Sequence, residues 1–199
     1  MKRRKFLVKL SLITGAANLI NPFFLISQTK RSKMENKSLG PKLLPAYKRR
    51  FSQEGARALL GGGAILKFLA TSKDTNGLYA LFEAKGIPGM EPPPHTHSNE
   101  DETYYILDGT LWFKVGEEEF TAQKGDFVFL PRNVKHEFKI LTEEFHCHVG
   151  LFPAGLDDYF LELSQPYHLM EIPPVDSTPP PPEVLEQMVK LNQKYGITF

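Results

Sequence analysis

The chain has 199 residues, a length that suits one folded domain with extensions. Hydrophobic residues make up 41% and charged residues 24%, with 15 Phe and 7 Tyr, which excludes an intrinsically disordered chain. Residues 1–50 hold 13 of the 24 Lys and Arg but one of the 23 acidic residues, so the remainder carries a net charge of −11. An acidic body repels phosphate backbones, and we therefore expect no nucleic-acid partner. Cys147 is the only cysteine, which excludes an internal disulfide.

The first thirty residues have the pattern of an export signal. Basic residues at positions 2–5 precede an apolar stretch from Leu10 to Ile26. The paired arginines Arg3 and Arg4 resemble a twin-arginine signal, which carries folded proteins across the bacterial inner membrane. We expect residues 1–30 to be such a signal or, because no Ala-x-Ala site is visible, an uncleaved membrane anchor. A cytoplasmic tail with a chance basic start is the alternative, but the signal favours the periplasm or cell envelope.

The body of the chain has the pattern of an all-β domain. Residues 31–45 are polar and basic, which predicts a linker, and the folded domain is expected over residues 46–165. Turn residues separate short apolar or alternating segments, and the pair Asn76-Gly77 favours a hairpin turn. The predicted strands are 64–70, 78–84, 102–107, 110–115, 118–122, 126–130, 136–140 and 145–152. This spacing predicts a sandwich or a jelly-roll β-barrel.

Aromatic residues are dense in the middle of this domain. We expect most of them to fill its interior, and some to shape an apolar pocket for a small molecule. They are Tyr104, Tyr105, Trp112, Phe113, Phe127, Phe129 and Phe138.

Residues 166–199 predict a Pro-rich connector followed by a short α-helix. Prolines at 173–174 and 179–182 indicate a stiff polyproline segment. The apolar residues of 183–191 then recur at helical spacing before Gly196. We expect the helix to pack on the outside of the domain or on a second copy of the chain, so a homodimer is a candidate assembly.

Histidines and a glutamate recur with the spacing of metal ligands. His95 and His97 are two residues apart, so in an extended segment both imidazoles face one side, and Glu102 follows from the next predicted strand. His136 begins a later strand after the turn at residues 131–133. Histidine and carboxylate ligands suit Fe, Mn, Co, Ni, Cu or Zn better than Ca or Mg. An isolated His-x-His pair is more often structural than metal-binding.

These two segments resemble the paired motifs of the cupin family. The first fits the pattern Gly-x5-His-x-His-x4-Glu-x6-Gly from Gly89 to Gly109 at every fixed position. The second departs at Asn133, where the family usually has Gly, and at Ile140, where it commonly has Asn. Asn tolerates left-handed backbone geometry, so we expect the turn at 133 to be preserved. The resemblance implies a cupin double-stranded β-helix in which His95, His97, Glu102 and His136 bind one divalent transition metal.

Most of residues 45–199 is similar to single-domain cupins of the quercetin 2,3-dioxygenase type, including the Pro-Pro-Pro-His-x-His segment and the Pro-rich connector that leads to Tyr195-Gly196-Ile197. That resemblance implies a flavonol or other enol-like substrate, dioxygen as the second reactant, and Glu102 as both ligand and base. A cupin isomerase or decarboxylase, and a non-catalytic metal- or ligand-binding protein of the cell envelope, are the alternatives.

A second pair, His146 and His148, also shares one face of a predicted strand. These histidines could line the metal cavity, offer a second metal position, or occupy the solvent face of the strand.

Overall fold

The computed structural model describes residues 44–50 and 55–199. The predicted signal or anchor at 1–30 and residues 31–43 of the predicted linker lie outside this part of the chain. Among the described residues, no helix is long and apolar enough to cross a membrane.

The described residues form twelve strands and three short helices, which confirms the all-β class with a C-terminal helix. The strands are β1 (Ala56–Leu59), β2 (Ala64–Ala70), β3 (Ala80–Gly86), β4 (Thr96–His97), β5 (Asp101–Asp108), β6 (Thr110–Val115), β7 (Glu118–Gln123), β8 (Phe127–Leu130), β9 (His136–Ile140), β10 (Phe145–Phe152), β11 (Ser164–Tyr167) and β12 (Ile197–Thr198). The helices are α1 (Ser72–Thr75), α2 (Leu156–Glu162) and α3 (Pro182–Lys194). The predicted boundary between residues 165 and 166 falls within β11.

The strands are arranged in three sheets, each of them antiparallel. A seven-stranded sheet has the order β11-β1-β2-β3-β10-β5-β8, a three-stranded sheet has the order β7-β6-β9, and β12 pairs with β4. The chain passes from the large sheet to the three-stranded sheet at Gly109, which has a φ of +83°. A Cβ on Gly109 would lie 2.6 Å from the carbonyl oxygen of Glu144, so this corner favours glycine.

The jelly-roll prediction is confirmed, but in the described part of the chain the two larger sheets do not close into one continuous barrel. Among the described residues, backbone hydrogen bonds do not join the seven-stranded and three-stranded sheets into one continuous ladder. The two sheets instead meet through side chains: the ring of Tyr104 on β5 lies 5.4 Å from that of Phe113 on β6 and 5.8 Å from that of Phe138 on β9. Burying each such side chain contributes about 1.5–3 kcal/mol, so packing between sheets holds the domain together.

Alternation along the strands corrects the prediction that most of the central aromatics are core. Tyr104, Phe113 and Phe138 are buried between the sheets. Tyr105, Phe127 and Phe129 lie exposed on the outer face of the large sheet, because their positions alternate with the buried ones along β5 and β8.

The segment between β2 and β3 forms helix α1 rather than the predicted tight hairpin turn. The Asp74 carboxylate accepts a hydrogen bond from the Thr71 backbone N–H at 2.9 Å, and this capping interaction favours a helical turn. Asn76 then ends the helix in the left-handed region with a φ of +54°. The strands on either side still pair antiparallel, as the hairpin prediction required.

Helix α3 covers the predicted helical segment and leads into β12. Lys194 near its end forms an ion pair with Glu162 at 2.7 Å, and Tyr159 donates a hydrogen bond to Asn192 at 2.9 Å. None of its residues is fully buried. The chain after α3 returns to β4, which carries the His-x-His motif.

Candidate metal centre

Separate strands bring the predicted ligands together. His97 lies on β4, Glu102 on β5 and His136 on β9. His95, just before β4, forms an isolated antiparallel bridge with His136, with backbone N···O distances of 2.9 Å and 2.8 Å. The backbone N–H of Asn133 donates to the carbonyl oxygen of His97 at 2.8 Å. The two motif segments, which lie about 40 residues apart, are therefore joined by direct backbone hydrogen bonds.

The ring nitrogens of His95, His97 and His136 converge on one point. One ligand atom from each lies within 4.8 Å of the others, and such a group could hold a metal ion. The Nε2 atoms of His95 and His97 are 3.2 Å apart. Glu102 Oε2 is 3.6 Å from Nε2 of both His97 and His136. All four side chains are buried.

Backbone carbonyl groups orient two of the imidazoles. His95 Nδ1 lies 2.9 Å from the carbonyl oxygen of Pro93, and His136 Nδ1 lies 3.1 Å from that of Val134. A carbonyl oxygen only accepts, so each Nδ1 carries the proton and donates it. The lone pair of each ring is then on Nε2, facing the other ligands. This is the usual support of a metal-binding histidine.

Burial sets the charge of these groups. Burial, together with the neighbouring His97 and His136, lowers the pKa of His95 to about 4. Burial likewise lowers the pKa of His136, although Glu102 opposes the shift. Burial by itself would raise the pKa of Glu102, but its hydrogen bond with His97 and the adjacent imidazoles outweigh that effect and the net pKa is lowered. For His95, His136 and Glu102, these shifts favour neutral imidazoles beside an ionised carboxylate, the protonation states that bind a cation.

Two polar side chains near the ligands had no assigned role in the sequence. The Tyr104 hydroxyl donates to Glu102 Oε1 at 3.3 Å, so it holds the carboxylate from the side away from the histidines. Glu100 is buried, and burial raises its pKa, with the nearby His97 and Arg132 opposing the shift. Among the described residues, Glu100 Oε2 and His97 Nδ1 have no hydrogen-bond partner. Nothing local in the sequence distinguishes Glu100 from a solvated acid.

The C-terminal segment also borders the centre, and no motif in the sequence indicates this contact. Ile197 pairs with His97 in the β12–β4 ladder, and the ring of Phe199 lies 5.9 Å from that of His95. The backbone N–H and hydroxyl of Ser98 both donate to the carbonyl oxygen of Gly196 at 3.0 Å. This register joins residues about 100 positions apart, so no local spacing encodes it.

Two further expectations concern Asn133 and the second histidine pair. Asn133 adopts a φ of +63°, the left-handed geometry expected for a residue replacing glycine. His146 and His148 lie on the outer face of β10, half-buried, while the intervening Cys147 is buried in the core. They therefore do not line the cavity between the sheets.

Fold and site together define a class: an antiparallel β-sandwich with three histidines and a glutamate converging between its sheets. The family model described as a cupin domain matches residues 86–152, which contain both motifs. The chain belongs to the cupin family.

Three relatives show where the resemblance lies. The quercetin 2,3-dioxygenase of Bacillus subtilis is 31% identical over 117 residues, 58% of this chain and 34% of that protein. The quercetin 2,3-dioxygenase of Aspergillus japonicus is 27% identical over 115 residues, 54% of this chain and 33% of that protein. An uncharacterised protein of Streptomyces coelicolor is 30% identical over 104 residues, 52% of this chain and 93% of that protein. This chain thus spans about a third of the length of the two dioxygenases.

Proposed function

We propose that this protein is a metal-dependent dioxygenase of the quercetin 2,3-dioxygenase type, acting on a flavonol or another enol-like small molecule. The observation that carries the proposal is the convergence of three buried imidazoles on the carboxylate of Glu102. The two dioxygenase relatives support it, and the small-molecule substrate and dioxygen are carried over from them.

The four side chains fit a divalent transition metal. Nε2 of His136 is buried and has no hydrogen-bond partner among the described residues. Nε2 of His95 and of His97 face each other at 3.2 Å, where two lone pairs repel unless a proton or a cation lies between them. Nitrogen donors with one carboxylate suit iron, manganese, cobalt, nickel, copper or zinc. His95, His97, Glu102 and His136 would hold the ion.

Glu102 is the residue on which the reaction depends. A bound metal would supply a Lewis acid for a substrate oxygen and a redox partner for dioxygen. The Glu102 carboxylate would accept the proton of the substrate enol at one oxygen, since its lowered pKa keeps it ionised. The hydroxyl of Tyr104 fixes the other oxygen. Burial of the site excludes water that would compete for that proton.

Export in a folded state is the second part of the proposal. The paired arginines Arg3 and Arg4 before an apolar stretch support transport across a bacterial inner membrane to the periplasm or cell envelope. Transport after folding would allow the centre to take up its metal in the cytoplasm.

The activity is tested by oxygen consumption. Purified protein is loaded with each candidate metal in turn and given a panel of flavonols and simpler enols in an oxygen electrode. We expect substrate-dependent oxygen uptake with at least one metal. Glu102→Gln keeps the size of the side chain but removes the base, and we expect it to lower kcat by roughly 10²–10⁴-fold.

A matched substitution controls for the loss of one negative charge. Glu118 is exposed on β7, so Glu118→Gln should retain the wild-type rate. Absence of oxygen uptake with every metal and every substrate would refute the dioxygenase proposal and leave an isomerase, a decarboxylase or a binding protein. Full activity in Glu102→Gln would place the base elsewhere.

A further inference from the structure

The outer face of the seven-stranded sheet carries a second group of metal-ligand residues. His146 and His148 project from β10 on the side opposite to Cys147. Glu83 on the neighbouring strand β3 lies directly across from His148 in the register, and its burial alternates in the same phase. Strand periodicity therefore places two imidazoles and one carboxylate on the same face of adjacent strands.

The carboxylate of Glu83 already lies close to both imidazoles. His146 Nε2 lies 2.5 Å from Glu83 Oε1, and His148 Nε2 lies 3.8 Å from Glu83 Oε2. One carboxylate thus reaches both imidazoles, one with each oxygen. The side chains are 26%, 35% and 13% exposed for His146, His148 and Glu83, so the group is half-buried and reachable from solvent.

We propose that Glu83, His146 and His148 form a second binding site, for a divalent transition-metal cation such as Zn²⁺ or Cu²⁺. Two nitrogen donors and one carboxylate are a ligand set for these ions. Ligand atoms about 2.0–2.2 Å from a tetrahedral ion lie roughly 3.3–3.6 Å apart. The 3.8 Å contact therefore has to shorten, the 2.5 Å contact has to lengthen, and the two imidazoles have to turn toward one point. The proton shared between His146 and Glu83 has to leave as the ion enters. Solvent completes the coordination.

Two lysines limit the affinity of this site. Lys85 lies across from His146 in the register, and Lys67 lies across from Glu83 on β2. Their positive charges oppose a cation bound on this face. We therefore expect the outer site to bind its ion more weakly than the inner one.

The proposal does not rest on the proposed dioxygenase activity. Cys147, between the two histidines, points into the core, so the outer site shares no ligand with the inner centre. Each site can be removed while the other stays complete, and the two proposals can fail separately.

The experiment is titration of the metal-free, full-length protein with Zn²⁺, followed calorimetrically and by metal analysis. Wild-type protein is expected to bind two ions per chain with different affinities. His146→Ala/His148→Ala should bind one ion and lose the weaker event. His95→Ala should keep the weaker event, which identifies it as the outer site. His168→Ala, at an exposed histidine outside both groups, should match the wild type.

Glu83→Gln provides a second test if the double variant folds poorly, as judged by circular dichroism. The amide keeps the size of the carboxylate but removes its charge, and we expect the affinity of the weaker event to fall at least about tenfold. Two ions bound with unchanged affinities in both variants would overturn the proposal. A single ion per wild-type chain, unaffected by any of these substitutions at the outer face, would overturn it as well.

Discussion

Removal of a metal ion from the inner centre should lower the free energy of unfolding and the Tm of the protein. The three imidazoles and Glu102 come from β4, β5, β9 and the segment before β4, so an ion held by all four residues binds the native state and not the unfolded chain. At a free metal concentration 100 times the dissociation constant, binding adds about 2.7 kcal/mol to the free energy of unfolding. In a domain of this size, each 1 kcal/mol changes Tm by roughly 2–4 °C. The expected rise in Tm is therefore about 5–11 °C.

The assay compares metal-stripped with metal-loaded protein by thermal unfolding under circular dichroism. His136→Ala removes one of the three imidazoles whose Nε2 atoms face the centre. If the dissociation constant weakens about 100-fold, the same free metal adds only about 0.4 kcal/mol, and the Tm shift falls to roughly 1–2 °C. Both measurements are made in the His146→Ala/His148→Ala background, which removes any contribution of the outer face to the metal-dependent Tm shift.

His168→Ala is the control, since it removes an exposed imidazole that belongs to neither group. It should keep the full metal-dependent shift. The reasoning is refuted if no candidate metal raises Tm in the wild type, or if His136→Ala keeps the wild-type shift while remaining folded.

Two other substitutions test how the fold is held. Arg49 lowers the pKa of Asp74 through a hydrogen bond, so Asp74 stabilises the fold above about pH 4 and loses that effect as the pH falls through its lowered folded pKa. Asp74→Asn should therefore lower the free energy of unfolding by about 1–2 kcal/mol in denaturant at pH 7, and by less in acid. A difference between variant and wild type that does not change with pH would contradict this. Gly196→Ala places a Cβ against the hydroxyl of Ser98 at a φ of +70°, so it should speed hydrogen exchange in β4 and β12. Gly77→Ala is the control: its φ is +80° but no atom lies within 4 Å of the added carbon, so it carries the backbone strain alone. Equal exchange rates of β4 and β12 in the two variants would count against the role of the Ser98 contact.

The elements that could be predicted are those with a signal inside a short window. β6 and β10 have the predicted bounds, because alternating residues and flanking turns define them locally. That His95 and His97 share one face was predictable for the same reason, whereas their convergence with His136 was implied only by the resemblance to the cupin motifs. The local signal was misread at residues 72–77, where the capping carboxylate of Asp74 selects a helical turn over the turn that Asn76-Gly77 favours.

Features that depend on distant pairing could not be predicted. β12 pairs with β4 across about 100 residues, and no property of Ile197 indicates that partner. The burial of Glu100 likewise depends on what packs over it and not on its neighbours in sequence. Phe127 and Phe129 belong to the aromatic set of which most was predicted to be core. Both lie on the face of β8 that points away from the core, and a count of aromatic residues does not reveal that face.

The inner and outer histidine pairs have the same i, i+2 spacing, and the difference between them lies in their support. At the inner centre, the His95–His136 bridge, the hydrogen bond from Asn133 to His97, and the pairing of Ile197 with His97 all fix the backbone that carries the ligands. At the outer face, His146 and His148 share one strand, and both lie close to the side chain of Glu83 on the neighbouring strand. A ligand set held by several backbone contacts keeps its geometry before the ion arrives, so less binding energy is lost in ordering it. The spacing of two histidines therefore identifies a candidate site, and the strands that join around it determine how tightly that site can bind.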